Sequence, residues 1–348
     1  MTSRWSDDDV HAEFIAAIPK VELHCHLEGS VPAATFIELA DAHGIELANR
    51  DPEHVYDFDS FLAFLDLYHQ VCASISTPAD FERAVYDSLA LAARSGNVVY
   101  REMFFSPTNH GDETSYASMV DALGSGIEAA HADFGIRCRL IAGINRRHTP
   151  RVATELVQTM LDHPSPHVIG IGLDDDEDSG PPEMFVDAYA LAASGGLRRT
   201  AHAGELGVAA NVATSLDVLG CERLDHGYAM VREPAVMQRV RDSGVHVTGA
   251  WFVNNFHAGV FTGGVEPAST PLAEMIRTGL PVSLNTDDPT MIPTDLNAEY
   301  TAVAAALDLD ETAVLRLAGN AIDGAWLDDS DKADLRLRLT DAVNADES

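Results

Sequence analysis

Short runs rich in β-branched residues recur along this chain, and longer amphipathic stretches separate most of them. Eight runs are typical of strands: Val21–Leu27, Val98–Phe105, Arg137–Ile144, His167–Leu173, Arg199–Ala203, Arg223–His226, Val245–Ala250 and Pro281–Asn285. Stretches with helical periodicity include Ala33–His43, Tyr116–Asp133, Arg151–Asp162, Glu183–Ala193, Ala209–Leu219 and Pro234–Ser243. Strands that alternate with helices indicate parallel βα units. Eight units predict an α/β fold, a closed (β/α)8 TIM-like barrel rather than an open doubly wound sheet.

Two segments exceed a minimal barrel. Residues 57–95 predict a helical insertion after the first strand, and residues 296–341 predict extra C-terminal helices. The insertion carries an apolar stripe at helical spacing: Phe58, Phe61, Leu62, Phe64, Leu65 and Tyr68. We expect part of the stripe to pack on the barrel and part, including Phe61 and Leu62, to form a lid that contacts substrate. Because no linker interrupts the pattern, residues 1–348 are expected to form one domain.

The charge balance restricts the partners of this chain. It has 55 acidic and 22 basic residues, a formal net charge of -33, with one dense acidic run at residues 174–178. Such a field repels nucleic acid and anionic membrane surfaces, so neither is expected as a partner. Nearly all of these acidic residues are expected to be solvated surface.

The cysteines and the apolar runs suggest a reducing compartment. The four cysteines are far apart and form no CxxC motif. The first residues resemble no secretory signal, and no apolar run is long enough to span a membrane. We therefore expect a cytoplasmic protein, and its oligomeric state stays open.

The first motif with chemical character is His24-Cys25-His26 at the end of the first predicted strand. Side chains two residues apart on a strand point to the same side. Both imidazoles would therefore face the mouth of the barrel, where they could begin a zinc site. A lone HxH also arises by chance or on surface strands.

Three further strand ends carry ionisable residues. They are Ala201-His202-Ala203-Gly204-Glu205, Leu224-Asp225-His226-Gly227 and Asn285-Thr286-Asp287-Asp288-Pro289. Active sites of barrel enzymes are assembled at this end of the strands. Paired histidines, a distant histidine and a carboxylate suit a Zn²⁺ site that leaves a position for water.

Each of these residues also has a purely structural interpretation. His202 could be a buried, hydrogen-bonded histidine, and Glu205 could be a carboxylate at a helix start. Asp287 and Asp288 could cap a helix, and Asp225 is expected to pair with a neighbouring helix. It is improbable that all of these structural interpretations hold at four strand ends at once.

In these motifs the chain resembles the adenosine/adenine deaminase family of metal-dependent amidohydrolases. The resemblance extends from about Pro19 to Pro289. It is carried, in family order, by PKVELHCHLEGS, VVYREMFFSP, VIGIGLDDDE, AHAGE, LDHG and SLNTDDP. It implies a (β/α)8 barrel, one catalytic Zn²⁺ per chain, and hydrolytic removal of the 6-amino group of a small purine.

The resemblance also implies roles for individual residues. The metal ligands would be His24, His26, His202 and Asp287. Glu205 would protonate the purine at N1, for which its pKa should be raised, whereas Asp287 should be firmly ionised. His226 would orient the attacking water and act as base. Asp288 would contact N7, and Glu28, in the HLEG motif, would face the far side of the substrate.

The motifs indicate the identity of the 6-aminopurine substrate less clearly than they indicate the catalytic residues. The aromatic pair of FFSP looks like adenine deaminases and its serine, Ser106, like adenosine deaminases. Asp175 stands near the place where adenosine deaminases have a glycine that approaches N3. The long loop of residues 251–269 could admit a substituent at N9. Adenine, adenosine and related adenine nucleosides therefore all remain candidates.

Other functions compete with this one. The chain could deaminate another amino-heterocycle, or it could be a binuclear amidohydrolase that cleaves an amide or ester. The binuclear type would need a bridging lysine or carboxylate on the middle strands and His226 as a ligand, and the fourth strand has no lysine. A purine-binding protein with a decayed site is opposed by the filled motifs. Nitrogen and oxygen ligands also accept iron, cobalt or manganese.

Overall fold

The computed structural model describes the backbone of residues 7–346 except 112, 207, 261 and 262. Side chains are described for the same residues except 7–10, 61, 62, 345 and 346. The predicted substrate contacts of Phe61 and Leu62 therefore lie outside the described residues.

Eight parallel strands form a (β/α)8 TIM barrel in which every strand neighbours the next along the chain. The strands are β1 (Lys20–Glu22), β2 (Val98–Phe105), β3 (Arg137–Asn145), β4 (Val168–Asp174), β5 (Arg198–Ala203), β6 (Arg223–His226), β7 (His246–Ala250) and β8 (Val282–Asn285). The barrel closes just beyond β1 and β8, where Cys25 bridges to Asp287 and the amide of His26 donates to the Asp287 carbonyl at 2.8 Å.

Helices surround the barrel. They are α1 (Asp7–Ala17), α2 (Ala33–Ala42), α3 (Phe61–Ser74), α4 (Pro78–Gly96), α5 (Tyr116–Phe134), α6 (Pro150–Asp162), α7 (Val186–Ser194), α8 (Ala209–Asp217), α9 (Pro234–Ser243), α10 (Trp251–Ala258), α11 (Pro271–Arg277), α12 (Leu296–Leu307), α13 (Glu311–Gly324) and α14 (Asp329–Asp346). The predicted insertion after the first strand contains α3 and α4, and the predicted C-terminal helices are α12 to α14. No helix in the described part of the chain is long and apolar enough to cross a membrane.

The first strand is shorter than predicted. Its ladder ends at Glu22, since the Leu23 amide donates to the side-chain oxygen of Asn285 at 2.8 Å. The chain stays extended and rejoins the sheet only through isolated bridges of Cys25 and His26. The paired histidines of the HxH motif therefore stand beyond the regular strand, at the barrel mouth.

Buried ion pairs below the mouth hold the ends of the strands in place. Glu22 contacts the Arg101 guanidinium at 2.5 Å and also accepts the backbone N–H of Thr286 at 2.9 Å. Because Glu22 and Arg101 are both buried, each charge needs the other as its partner. The second bond secures the segment that carries Asp287 and Asp288 against β1.

Candidate active site

A cavity of about 550 Å³ lies at the carboxyl ends of the strands. Side chains from several strand ends and from α3 form its wall: His26, Phe64, Leu65, Tyr68, Ser106, Asn109, Asp174, Asp175, His202, Glu205, His226, Asp287 and Asp288. Barrel enzymes assemble their active sites at this end of the strands. The cavity is therefore the candidate active site.

Three histidines and one carboxylate predicted as ligands converge beside this cavity. One potential ligand atom from each of His24, His26, His202 and Asp287 lies within 4.8 Å of the others. The Asp287 Oδ1 atom is 3.0 Å from His24 Nε2 and 3.4 Å from His26 Nε2, and the Nε2 atoms of His26 and His202 are 3.1 Å apart. This buried set of nitrogen and oxygen donors fits a divalent metal such as zinc.

Contacts behind the histidines orient their ring nitrogens. His202 Nδ1 donates to the carbonyl oxygen of Leu173 at 3.1 Å, which leaves the lone pair of Nε2 facing the cluster. His24 Nδ1 lies 3.2 Å from Asp225 Oδ1. Partners of this kind set the tautomer and the orientation of metal-binding histidines.

Asp225 lies inside the barrel, so the expected pairing with a neighbouring helix is wrong. Its carboxylate accepts hydrogen bonds from Thr200 at 2.7 Å and Thr248 at 2.8 Å, on the strands to either side. Neighbours on a strand normally point to opposite faces. His226 escapes this rule because it leaves the strand with φ +66°, so both side chains reach the mouth of the barrel.

Asp225 and Asp287 are buried but have lowered pKa values, and they favour the charged forms of the neighbouring histidines. Burial alone would lower the pKa of His24, but Asp225 and Asp287 raise it to about 10. Burial likewise opposes charge on His26, whose pKa is raised to about 9 chiefly by Asp287 and Asp288. Burial and the neighbouring histidines lower the pKa of His202. The pKa of Asp287 stays well below its usual value despite burial, because the neighbouring imidazoles and the hydrogen bonds with His24 and His26 favour its ionised form, as the resemblance implies.

His226 presents a lone pair to the cavity. The Tyr228 hydroxyl donates to the Ala250 carbonyl at 3.1 Å, so its oxygen accepts from His226 Nδ1 at 3.3 Å. In this tautomer the lone pair is on Nε2, which lies 3.9 Å from Glu205 Oε2 and 3.8 Å from Asp287 Oδ2. This geometry suits a general base for a water held between these groups.

Glu205 has the opposite electrostatics from those predicted. Burial would raise its pKa, but the neighbouring imidazoles of His226 and His257 and a 3.0 Å hydrogen bond from His257 Nε2 lower it. The expectation of a raised Glu205 pKa is therefore wrong. Glu205 in turn raises the pKa of His257 through their hydrogen bond and its charge, against the effect of burial. The sequence singled out no role for His257.

The predicted substrate residues occupy different positions around the cavity. Ser106, Asp175 and Asp288 line it. Glu28 is fully buried and bonds to residues of the wall: it accepts the Ser106 amide and the Tyr68 hydroxyl, each at 2.9 Å.

The glycine of the HLEG motif makes room for Asp288. A Cβ atom on Gly29 would lie 1.7 Å from Asp288 Oδ1. That oxygen is buried and has no hydrogen-bond partner among the described residues, so it can serve a ligand in the cavity.

Two residues of the acidic run at residues 174–178 are buried, although nearly all acidic residues were expected at the solvated surface. Asp174 is 5% exposed and Glu177 is 6% exposed. Glu177 accepts the backbone N–H groups of Gly204 at 2.6 Å and Glu205 at 3.0 Å, so it holds the loop that carries Glu205. Consecutive acidic residues have no periodicity, and the signal that could have marked them was their place at a strand end.

Comparisons with known proteins agree with this geometry. The family model described as adenosine deaminase matches residues 19–342. An adenine deaminase of Rhodospirillum rubrum is 34% identical over 343 residues, covering 96% of this chain and 99% of that protein. The crystal structure of adenine deaminase from Arthrobacter aurescens is 33% identical with a TM-score of 0.87, covering 94% of this chain and 99% of its own. An amidohydrolase from Burkholderia ambifaria with bound Zn is 31% identical with a TM-score of 0.89, covering 100% of this chain and 96% of its own.

Proposed function

The chain belongs to the adenosine deaminase family and is a hydrolase that deaminates an adenine-like purine, and we propose that its substrate is free adenine and its metal zinc. The products would be hypoxanthine and ammonia. The observation that carries the proposal is the buried His24, His26, His202 and Asp287 cluster beside Glu205 and His226. The similarity to adenine deaminases over almost the whole chain supports the free base.

The cluster would hold one zinc ion through His24, His26, His202 and Asp287. When bound, the ion would supply Lewis-acid activation of the attacking water, whose pKa it would lower towards ~7. The remaining steps belong to the protein. His226 Nε2, with its lone pair towards the cavity, takes a proton from the attacking water and returns it to the departing ammonia.

Glu205 and Asp288 would orient the ring for attack at C6. A 6-aminopurine is a poor electrophile, because attack at C6 breaks its aromaticity. A proton on N1 draws electron density from C6 and offsets this cost. The proton would reach N1 from Glu205, which shares it with His257 at 3.0 Å, and the proton of the new C6 hydroxyl would return to Glu205 as the carbonyl forms. Asp288, whose Oδ1 atom has no partner among the described residues, would hydrogen-bond to the ring at N7 and hold the base in the cavity.

Ammonia release by the purified, zinc-loaded protein tests the proposal. Adenine, adenosine, 2′-deoxyadenosine and AMP are offered separately, with Glu205→Gln as the matched control. We expect release from adenine that the control loses. Intact substrates throughout, with one zinc bound per chain, would contradict deamination of a 6-aminopurine and direct the search to other amino-heterocycles.

Nucleotides are expected to be poor substrates. Of the described residues that line the cavity, several are carboxylates and none is lysine or arginine. A phosphate there meets like charges, which costs several kcal/mol, so kcat/KM for AMP should be about 10²-fold or more below that for adenine. Steady-state rates at constant ionic strength check this, and equal rates for AMP and adenine would refute it.

Zinc binding to the metal-free protein should release protons. The raised pKa values of His24 and His26, about 10 and about 9, keep both imidazoles charged at pH 7 without metal. A zinc ligand must be neutral, so roughly two protons leave per ion and the affinity falls as the pH falls. Calorimetry in two buffers of different ionisation enthalpy measures the number. A proton count near zero would contradict these ligands.

The number of zinc ions bound per chain in the same titration distinguishes a mononuclear deaminase from a binuclear hydrolase. Glu205, His226 and Asp287 form a second group whose potential ligand atoms lie within 4.8 Å of one another. This is the observation that favours a binuclear hydrolase. We expect one tightly bound zinc per chain, because Glu205 is hydrogen-bonded to His257. Two tight ions would favour cleavage of an amide or ester.

A further inference from the structure

A second cavity borders Glu205 beside the candidate active site, and the proposed reaction assigns it no role. This side cavity has a volume of about 1150 Å³ and is formed by residues that follow β5, β6 and β7, among them Glu205, Tyr228, Asn254, His257, Thr270 and Glu274. Among the described residues that line the two cavities, Glu205 is the one that they share, and His257 lines the side cavity alone. The hydrogen-bonded Glu205–His257 pair therefore stands between them, with Glu205 towards the base and His257 towards the side cavity.

The side cavity offers His257 a polar approach from solvent. Hydroxyl, amide and carboxylate groups line it, and Arg232 and Ser269 stand at exposed positions of its wall. A smaller cavity of about 290 Å³ borders the pair on the substrate side. Besides the pair, its wall contains Asp287 and Asp288 from the active site, and its remaining described side chains are apolar, Phe58, Phe64 and Val253 among them. Solvent protons therefore reach His257 more readily through the side cavity than past the substrate.

The charges around the pair favour a proton on His257. Its Nε2 atom lies 3.0 Å from Glu205 Oε1, and the side chains of His257 and Glu205 are only 14% and 17% exposed. Burial would lower the pKa of His257, but the hydrogen bond with Glu205 and the charges of Glu205 and Asp287 raise it. His257 also lies in the last turn of α10, where the helix dipole favours a cation. In the free protein the proton of the pair therefore resides on the imidazole.

This distribution leaves Glu205 without a proton of its own when the base arrives. Its pKa is lowered by the neighbouring imidazoles, yet the proposed reaction needs it to donate a proton to N1. Once a base fills the active-site cavity, the mouth no longer gives Glu205 free access to solvent. A proton that comes from the opposite side of the carboxylate removes this difficulty.

We propose, on the basis of the proposed adenine deamination, that His257 stores the proton that Glu205 delivers to N1 and that the imidazole is charged from solvent through the side cavity. The proton moves from His257 Nε2 to Glu205 and from Glu205 to N1. When the C6 carbonyl forms, the proton of the C6 hydroxyl returns to Glu205 and then to His257, so the pair ends the cycle as it began. His257 acts through Glu205 rather than on the base and is a positioning residue.

Chemical rescue of His257→Ala tests this proposal. The variant loses the stored proton, so kcat for adenine should fall about 10- to 100-fold, at the lower end of what acid–base groups contribute. Added imidazole is small enough for the side cavity and should raise kcat of the variant about tenfold. At saturating adenine the mouth is occupied, so the rescue should appear in kcat while KM for adenine stays unchanged.

The pH dependence of the rescue distinguishes proton storage from packing. The rescued rate should follow the protonated fraction of the added imidazole, and pyrrole, a ring of the same size that carries no such proton, should not rescue. Titratable and charged groups among the described residues face His257 from both sides: Glu205, Asp287 and Asp288 towards the substrate, and Tyr228, Arg232 and Glu274 in the side cavity. These groups are unchanged in the variant, so a shift of its pH profile on rescue reports the added base.

Ser269→Trp is the matched control for the route. Ser269 is exposed at the side cavity and takes no part in the proposed reaction, so this variant alone should keep kcat within about threefold of wild type. Combined with His257→Ala, it should abolish the rescue. Absent rescue in His257→Ala, equal rescue by pyrrole, or rescue with a raised KM for adenine, which means entry through the mouth, would each overturn the proposal. Thermal unfolding and zinc content show whether each variant is folded and loaded.

Modification by diethyl pyrocarbonate needs no turnover, so it separates this route from the deamination itself. Peptide mass spectrometry of the zinc-loaded protein measures how fast the reagent modifies His257. We expect slower modification of His257 in Ser269→Trp than in wild type, which supports the route even where no ammonia is released. An equal rate in the two proteins would refute access through the side cavity, even where adenine is deaminated.

Discussion

Glu205→Gln is expected to lower kcat for adenine about 10³-fold while KM changes by less than about threefold, within the range that general acids contribute. Glutamine has nearly the shape of glutamate and can still accept the hydrogen bond from His257. It cannot pass a proton to N1, so attack at C6 loses its activation while binding of the base is kept. Steady-state kinetics with the zinc content measured on the same sample check this expectation.

A matched change in the partner separates proton transfer from positioning. His257→Gln keeps a hydrogen bond to Glu205 but removes the imidazole that shares its proton. We expect a smaller loss of kcat, about tenfold, with a pH profile displaced from that of wild type. A Glu205→Gln variant that retains more than a tenth of wild-type kcat would exclude Glu205 as the acid. Loss of one of two bound ions in that variant would favour the binuclear alternative.

The periodicity of the sequence was enough to place the metal cluster. Parallel strands of a barrel deliver their carboxyl ends to one mouth, so motifs at four strand ends had to meet there. His24, His26, His202 and Asp287 lie together although 263 residues separate His24 from Asp287. The irregular end of β1 did not disturb this result, because the bridges of Cys25 and His26 keep the segment extended.

The side of the cavity away from the metal cluster is formed by long-range contacts, which the periodicity of the sequence does not predict. Tyr68 comes from α3 and reaches Glu28 across 40 residues of sequence, and His257 meets Glu205 from α10. The positive φ angles of Asp175 and His226 redirect side chains against the alternation of their strands. Such turns depend on tertiary packing. The sequence could therefore indicate which acidic residues lie around the substrate cavity, but it could not indicate which side chains form hydrogen bonds with them.

Asp225→Ala should weaken zinc binding about 10²-fold, the upper range for partners of metal-binding histidines. It should also lower the free energy of unfolding of the metal-free protein by about 3–5 kcal/mol, because it leaves a buried charge without one of its partners. The charge is that of His24, whose Nδ1 atom lies 3.2 Å from Asp225. The hydroxyls of Thr200 and Thr248 lose their acceptor at the same time. Urea titration and competition with a zinc chelator measure the two effects.

Activity at saturating zinc distinguishes this role from a catalytic one. Asp225 does not line the cavity, so excess zinc should restore kcat of the folded Asp225→Ala protein to within about tenfold of wild type. Asp225→Asn is the conservative control: its amide oxygen still accepts one hydroxyl, and we expect losses between those of Ala and wild type. A kcat that stays about 10³-fold low with zinc fully bound would mean that Asp225 takes part in proton transfer. We expect recovery of kcat, because the Asp225 carboxylate already contacts Thr200, Thr248 and His24 and is not directed to the substrate.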